Sequence, residues 1–242
     1  MNSRKLIFLF IVSFFLILSE RSFSQRILGA LSAGVNLSQV DGDEVYGFKR
    51  IGFNGGPSVI IPFGKDKKWS VTLEILFSQL GSRKTSEYAA TDTVYSPTPK
   101  FYDGYRLSLN YVQVPVIVHF TDKRKIAGGL GLLYGQLVGV TEYEDYNDNN
   151  GFVKTNTTMQ GPYTKADLQG LVDVRFRLYM GFWFNVRYSY SFLPIRTREY
   201  ENPFYHDTWQ RKQYNNVISL RLVYIFNDIL PDKNKKSKEY TN

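Results

Sequence analysis

The chain has 242 residues, a formal net charge of +8, aromatic side chains at 16% of positions and no cysteine. The lack of cysteine excludes disulfides, thiol catalysis, Cys-based zinc sites and anchoring through a lipidated cysteine. The positive charge is dispersed, part of it in the N-terminal leader and part in Lys233, Lys235, Lys236 and Lys238, so no nucleic-acid partner is expected.

Asn2, Arg4 and Lys5 form a short polar and basic start, Leu6 to Leu18 an apolar run, and Ser22-Phe23-Ser24 a cluster of small residues at peptidase spacing. These are the parts of a secretory signal peptide, expected over residues 1–24 with Gln25 as the first mature residue. The apolar run falls short of the roughly 20 residues of a transmembrane helix, and no later stretch is uninterrupted enough to be one. What remains is about one domain's worth of chain.

A sheet with lipid on one face and a polar interior on the other must alternate with period two, because successive side chains point to opposite faces. Ile27 to Leu37 and Arg50 to Phe63 carry this signal with glycine interruptions. Trp69 to Leu80 places Trp69, Val71, Leu73, Ile75 and Phe77 on one face and Ser70, Thr72, Glu74 and Ser78 on the other. In Leu107 to Phe120, Val112, Val114, Val116, Val118 and Phe120 point outward, and Pro115, which cannot donate to a ladder, is expected at a bulge or an edge. Lys125 to Val140 alternates Gly129, Gly131, Gly135 and Gly139 with larger apolar residues, and small inward residues make room in a narrow barrel.

The clearest strand is Asp167 to Met180, with Leu168, Val172, Val174, Phe176, Leu178 and Met180 on one face and Asp167, Gln169, Asp173, Arg175, Arg177 and Tyr179 on the other. Phe182 to Phe192 repeats the pattern with Trp183, Asn185, Arg187, Ser189 and Ser191 inward, joined by a tight Met180-Gly181 turn. Asn215 to Phe226 closes the series with Ile218, Leu220, Leu222, Tyr224 and Phe226 outward and Ser219 and Arg221 inward.

The connections alternate as well. Gly64 to Lys68, Thr121 to Arg124 and Met180-Gly181 are short, whereas Ser38 to Lys49, Gly81 to Gly104, Thr141 to Ala166 and Ile195 to Tyr214 are long. Short periplasmic turns and long outer loops are the habit of outer-membrane barrels. The expected fold is therefore all-β: an eight-stranded antiparallel transmembrane up-and-down β-barrel over residues 25–226 in the bacterial outer membrane. A basic periplasmic tail, 227–242, follows it. That tail reads as a solvated extension or as a contact for anionic lipid or a periplasmic partner.

Gly34-Val35-Asn36-Leu37-Ser38, Leu73-Glu74-Ile75-Leu76-Phe77-Ser78-Gln79 and Leu109-Asn110-Tyr111-Val112-Gln113-Val114-Pro115 resemble the PorT-type outer-membrane barrel family of Bacteroidetes. The likeness continues through Gly128-Gly129-Leu130-Gly131 and Arg187-Tyr188-Ser189-Tyr190. It implies a barrel in the outer membrane and, from the founding members, a place in type IX secretion and gliding as a component or accessory.

With these faces, Glu74, Asp173, Arg175, Arg177, Arg187 and Arg221 point into the lumen. An eight-stranded barrel is nearly filled by its own side chains, and buried charges must be paired. The six form a salt-bridged plug in one reading and an anion-selective constriction in the other. His119 and His206 are the only histidines; His119 reads as a rim or lumen hydrogen-bonding residue. Neither fits the histidine–serine pattern of lipid A deacylases, and no G-x-S-x-G or H-E-x-x-H motif occurs.

Thr141 to Asn150, with Glu142, Glu144, Asp145 and Asp148, reads as a solvated acidic loop; its oxygen density suits calcium, but its spacing is not that of an EF-hand. Tyr200, Phe204, Tyr205 and Trp209 in the last loop either pack on one another or form an interaction surface. The expectation is a barrel with no catalytic residues, cofactor or metal, whose partners are outer-membrane lipid and other envelope or secretion proteins. A small porin-like or ligand-binding barrel is the alternative, and a lipid-modifying enzyme a third.

Overall fold

The computed structural model describes residues 27–43, 45–64, 66–84, 102–122, 125–146, 153–155, 163–201, 208–226 and 228. The leader and all of the tail but Asp228 lie outside these residues. The strands are β1 (Leu28–Asp41), β2 (Arg50–Phe63), β3 (Trp69–Glu74), β4 (Leu76–Lys84), β5 (Tyr102–Asp122), β6 (Ile126–Tyr146), β7 (Val153–Thr155), β8 (Ala166–Tyr179), β9 (Phe182–Ser191), β10 (Arg196–Glu201) and β11 (Thr208–Ile225).

Pairing is antiparallel throughout, and β1 closes on β11 from Ala30 opposite Ile225 to Asp41 opposite Tyr214. Because β3 and β4 share one position in the ring, the barrel has the eight staves that the periodicity requires. That shared stave breaks only at Ile75. The register with β2 and β5 is the same on both sides of the break, and Ile75 N donates to Pro57 O at 3.0 Å. Pro57 has no N–H to return, and neither has Pro115, which the register sets opposite Glu74. The irregularity expected of Pro115 thus falls on its neighbour, while Pro115 itself stays inside β5.

The staves outrun the alternating segments of the sequence. β5 and β6 each have 21 residues, about twice the span a tilted strand needs to cross a bilayer. Residues 141–146, expected in a loop, are strand, and β7 pairs with that extension. In the same way β10 pairs with β11 between Arg196–Gln213 and Glu201–Thr208, so much of the last long connection is a ribbon rising from the barrel.

The outward face carries an apolar belt including Leu31, Ile75, Val116, Leu130, Leu132 and Val172. On the short-turn rim it ends in ring contacts: Trp69 lies 5.0 Å from Phe120 and Phe182 4.7 Å from Tyr224. Aromatic rings at this level belong to the membrane interface. The turn below β8 is Met180-Gly181, both at positive φ, the geometry that a two-residue hairpin needs. Tyr179, expected inward, is 66% exposed because a register shift between Arg177 and Tyr179 turns it out.

The lumen is layered rather than uniformly polar. Near the short-turn rim Ala30, Ile60, Ala127, Trp183, Val223 and Ile225 form an apolar floor. Toward the long-loop rim Leu80, Leu107, Leu109, Leu137, Val140 and Val217 belong to a second apolar layer. Between the two lie the charged side chains of Glu74, Asp173, Arg175, Arg187 and Arg221 and a small apolar cluster of Ile117, Leu133 and Leu171.

Candidate functional site

Glu74 ends β3 and is pulled inward by its place in the alternation. Three arginines from different positions on the ring meet it: Arg175 of β8 at 3.0 Å, Arg187 of β9 at 3.0 Å and Arg221 of β11 at 3.1 Å. Asp173 shares all three: Arg187 Nε lies 2.8 Å from Oδ2, Arg175 Nε 3.2 Å from Oδ1 as an ion-pair contact without hydrogen-bond geometry, and Arg221 Nη2 3.4 Å from Oδ2. All five side chains are buried. Each carboxylate therefore answers several guanidinium groups, the condition under which buried charge is tolerable.

Neutral groups complete the cluster. Asn185 Nδ2 donates to Asp173 Oδ1 at 2.9 Å, and its Oδ1 accepts from Arg221 Nε at 2.8 Å. His119 Nε2 lies 2.8 Å from Asp173 Oδ1 and its Nδ1 3.1 Å from Thr72 Oγ1. With a carboxylate at Nε2, the ring proton belongs there and the Thr72 hydroxyl donates to Nδ1. The remaining staves yield space through glycine. A Cβ on Gly34 would come within 2.6 Å of Arg221 Cα, and one on Gly129 within 2.6 Å of the His119 ring.

The structure brings together Glu74, Asp173, Arg175, Arg187 and Arg221 and leaves Arg177 apart. Arg177 lies one inward step nearer the rim, where it pairs with Asp228 at 3.0 Å beside Trp183, whose Nε1 donates to the same carboxylate at 3.0 Å. Tyr200 and Trp209 are opposite one another on β10 and β11, whereas Phe204, Tyr205 and His206 lie outside the described residues. Sequence reasoning missed Asn185 and Thr72 as cluster members, although both were on the correct face.

It also missed a second cluster beyond the belt. Glu142, expected in a solvated loop, is buried on β6: Arg196 Nη1 donates to both its oxygens at 3.1 and 3.0 Å, and the hydroxyls of Tyr105 and Tyr163 donate at 2.8 and 3.0 Å. The Arg196 guanidinium also covers the Tyr163 ring at 4.5 Å. Tyr105 and Tyr163 also belong to the outer apolar layer, and such low-polarity surroundings strengthen hydrogen bonds that are fully made. Just past β1, Asp43 accepts from Val45 N at 2.8 Å. Burial pushes its carboxyl up to about 6, against the smaller opposing influences of the Ser82 hydroxyl, the Val45 amide and Arg196.

Among the described residues no group of three or more His, Cys, Asp or Glu side chains is placed to hold a metal ion. The family model described as "outer membrane protein beta-barrel domain" matches residues 21–213. The chain belongs to this family. It is thus a barrel of the bacterial outer membrane, with membrane lipid against its apolar belt. No curated protein matches the sequence.

Solved structures similar to the barrel include Ail, the attachment invasion locus protein of Yersinia pestis, at 15% identity over 82% of this chain and 98% of that one, with a TM-score of 0.44. Neisserial surface protein A is 10% identical over 82% and 95%, with a TM-score of 0.38. The protease OmpT from Escherichia coli is 9% identical over 86% and 99%, with a TM-score of 0.39.

Proposed function

We propose that this barrel is a closed, non-enzymatic outer-membrane protein that serves type IX secretion and gliding as a component or accessory, acting through its outer ribbons and periplasmic rim. The observation that carries the closed, non-catalytic part is the filled lumen: an ion-paired layer between two apolar ones. A water-filled path for solutes has no place in such a stack. The secretion assignment rests on the resemblance to PorT-type barrels.

Thr72, His119 and Asp173 align as hydroxyl, imidazole and carboxylate, the arrangement that activates a nucleophile in hydrolases. Here all three are at most 1% exposed, and Asp173 is occupied by arginine. A substrate cannot reach them, so the arrangement supports a structural reading. The proposal is tested by deleting the gene: cargo proteins should accumulate in the periplasm and gliding should stop where the organism glides. Normal secretion and motility would reject the secretion assignment.

A further inference from the structure

Arg83 of β4 and Arg106 of β5 stand directly opposite each other in the antiparallel register. Both point outward and are exposed. Like charges at such a cross-strand pair repel and destabilise the sheet. Neither has an acidic partner among the described residues.

A third cation adds to the strain. Arg50, at the start of β2, reaches across to β5, where its Nη2 donates to Ser108 Oγ at 2.9 Å, and Ser108 is one outward step from Arg106. The Nε of Arg50 is buried and has no acceptor among the described residues. Three guanidinium groups therefore converge on one outer patch, one of them with a donor left open.

The patch has a fixed height. Below it on the same staves the apolar belt ends at Phe77 and Val112, paired with each other and both exposed. Ile51 and Tyr143 flank it, and Tyr143 is opposite Arg106. On the long-loop side of an outer-membrane barrel, this is the level of the polar headgroups. A headgroup has one end in the belt's hydrocarbon and can present anionic oxygen to a guanidinium fork, the geometry that favours arginine for phosphate.

We propose that Arg50, Arg83 and Arg106 form a binding site for the phosphate of an outer-leaflet glycolipid, which neutralises a like-charge pair that no acidic group among the described residues neutralises. The acyl chains of the same molecule lie on Phe77, Val112 and Ile51. The inference requires only the membrane location and is independent of the secretion reading.

The test uses the full folded protein in detergent, titrated with diphosphoryl lipid A, with its fully dephosphorylated form and with inorganic phosphate, and bound lipid counted by native mass spectrometry. Diphosphoryl lipid A should bind at least tenfold more tightly than the dephosphorylated form. The double variant R83Q/R106Q should lose that preference while keeping its heat-modifiable gel shift. In lipid-free detergent it should be as stable as the parent or more so, since it removes a repulsion. Equal binding of the two lipids, or an unchanged preference in the double variant, would overturn the site. Displacement of the lipid by inorganic phosphate at equal concentration would overturn the glycolipid as its source.

Discussion

Arg221 Nη1 reaches Glu74 Oε2 across the lumen at 3.1 Å, although 147 residues separate the two in sequence. The bond joins the last stave to the interrupted third one, and Arg175 and Arg187 reach the same carboxylate from the staves between. Three arginines against Glu74 and Asp173 leave one positive charge, with His119 counted as neutral. Loss of either carboxylate would leave three guanidinium groups facing one anion.

Replacing Glu74 by Ala or Gln should therefore lower the urea midpoint of the folded barrel and the temperature at which its gel shift is lost. Breaking a fully buried pair from one side costs roughly 3 to 5 kcal/mol. Arg177→Ala should cost far less, since among the described residues the Arg177 guanidinium meets Asp228 and Trp183 near the rim. Equal effects of the two substitutions would show that the cluster does not concentrate stability as its geometry implies.

Most of the barrel and the five charged members of the central cluster were legible because the strands are amphipathic. Asp173, Arg175 and Arg187 alternate with Val172, Val174 and Val186, so their faces could be read directly. Above the charged layer the contrast is inverted: Leu107, Leu109 and Tyr111 are buried inward and alternate with the outward Arg106, Ser108 and Asn110, so this stretch read alone would turn its leucines toward lipid. Glu142 failed for the opposite reason. Among acidic and polar neighbours it resembles a loop, and only its distant partners Arg196, Tyr105 and Tyr163 make its burial tolerable.

Planar-bilayer recordings on the reconstituted barrel should show no stable conductance. The apolar floor around Trp183 and Ile225 and the outer layer around Leu107 and Leu109 leave ions no hydrated path. Large ion-selective steps would make the arginine layer a selectivity filter and the protein a porin.

Glu142→Gln should loosen the outer ribbons without opening the barrel. The carboxylate holds Arg196 at the base of β10 and Tyr163 ahead of β8, and a neutral amide forfeits the charge-assisted part of those bonds. Limited proteolysis of intact cells or proteoliposomes should cut faster between residues 156 and 201, with the gel shift retained. Unchanged cleavage would mean that the ribbons are held by other contacts.

The outer base of β1 should be pH-sensitive through Asp43. Its folded carboxyl is raised to about 6 from 3.8, so the folded state binds more protons than the unfolded one between those values, and stability falls as pH rises through that window. The loss is at most about 3 kcal/mol, from roughly 1.4 kcal/mol for each unit. Asp43→Asn keeps an oxygen for Val45 N and should stabilise the protein at pH 7 while matching it at pH 4. Parallel thermal-unfolding curves for the two proteins across this range would reject the assignment.

The last prediction concerns where a secretion partner would touch. Trp209, on β11 opposite Tyr200, is part of the ribbon that β10 and β11 form on the long-loop side of the barrel. At the other rim, Asp228 is fastened to Arg177 and Trp183, and the basic residues Lys233, Lys235, Lys236 and Lys238 follow it in sequence. A partner in the periplasm would meet that tail, and one at the surface would meet the ribbon. If the barrel serves type IX secretion from its periplasmic rim, removing residues 233–242 should leave cargo in the periplasm, whereas Trp209→Ala should leave secretion near normal; the reverse pattern would place the contact outside. Full secretion in both variants, with the barrel present at normal levels in outer-membrane fractions, would remove both surfaces from the machinery.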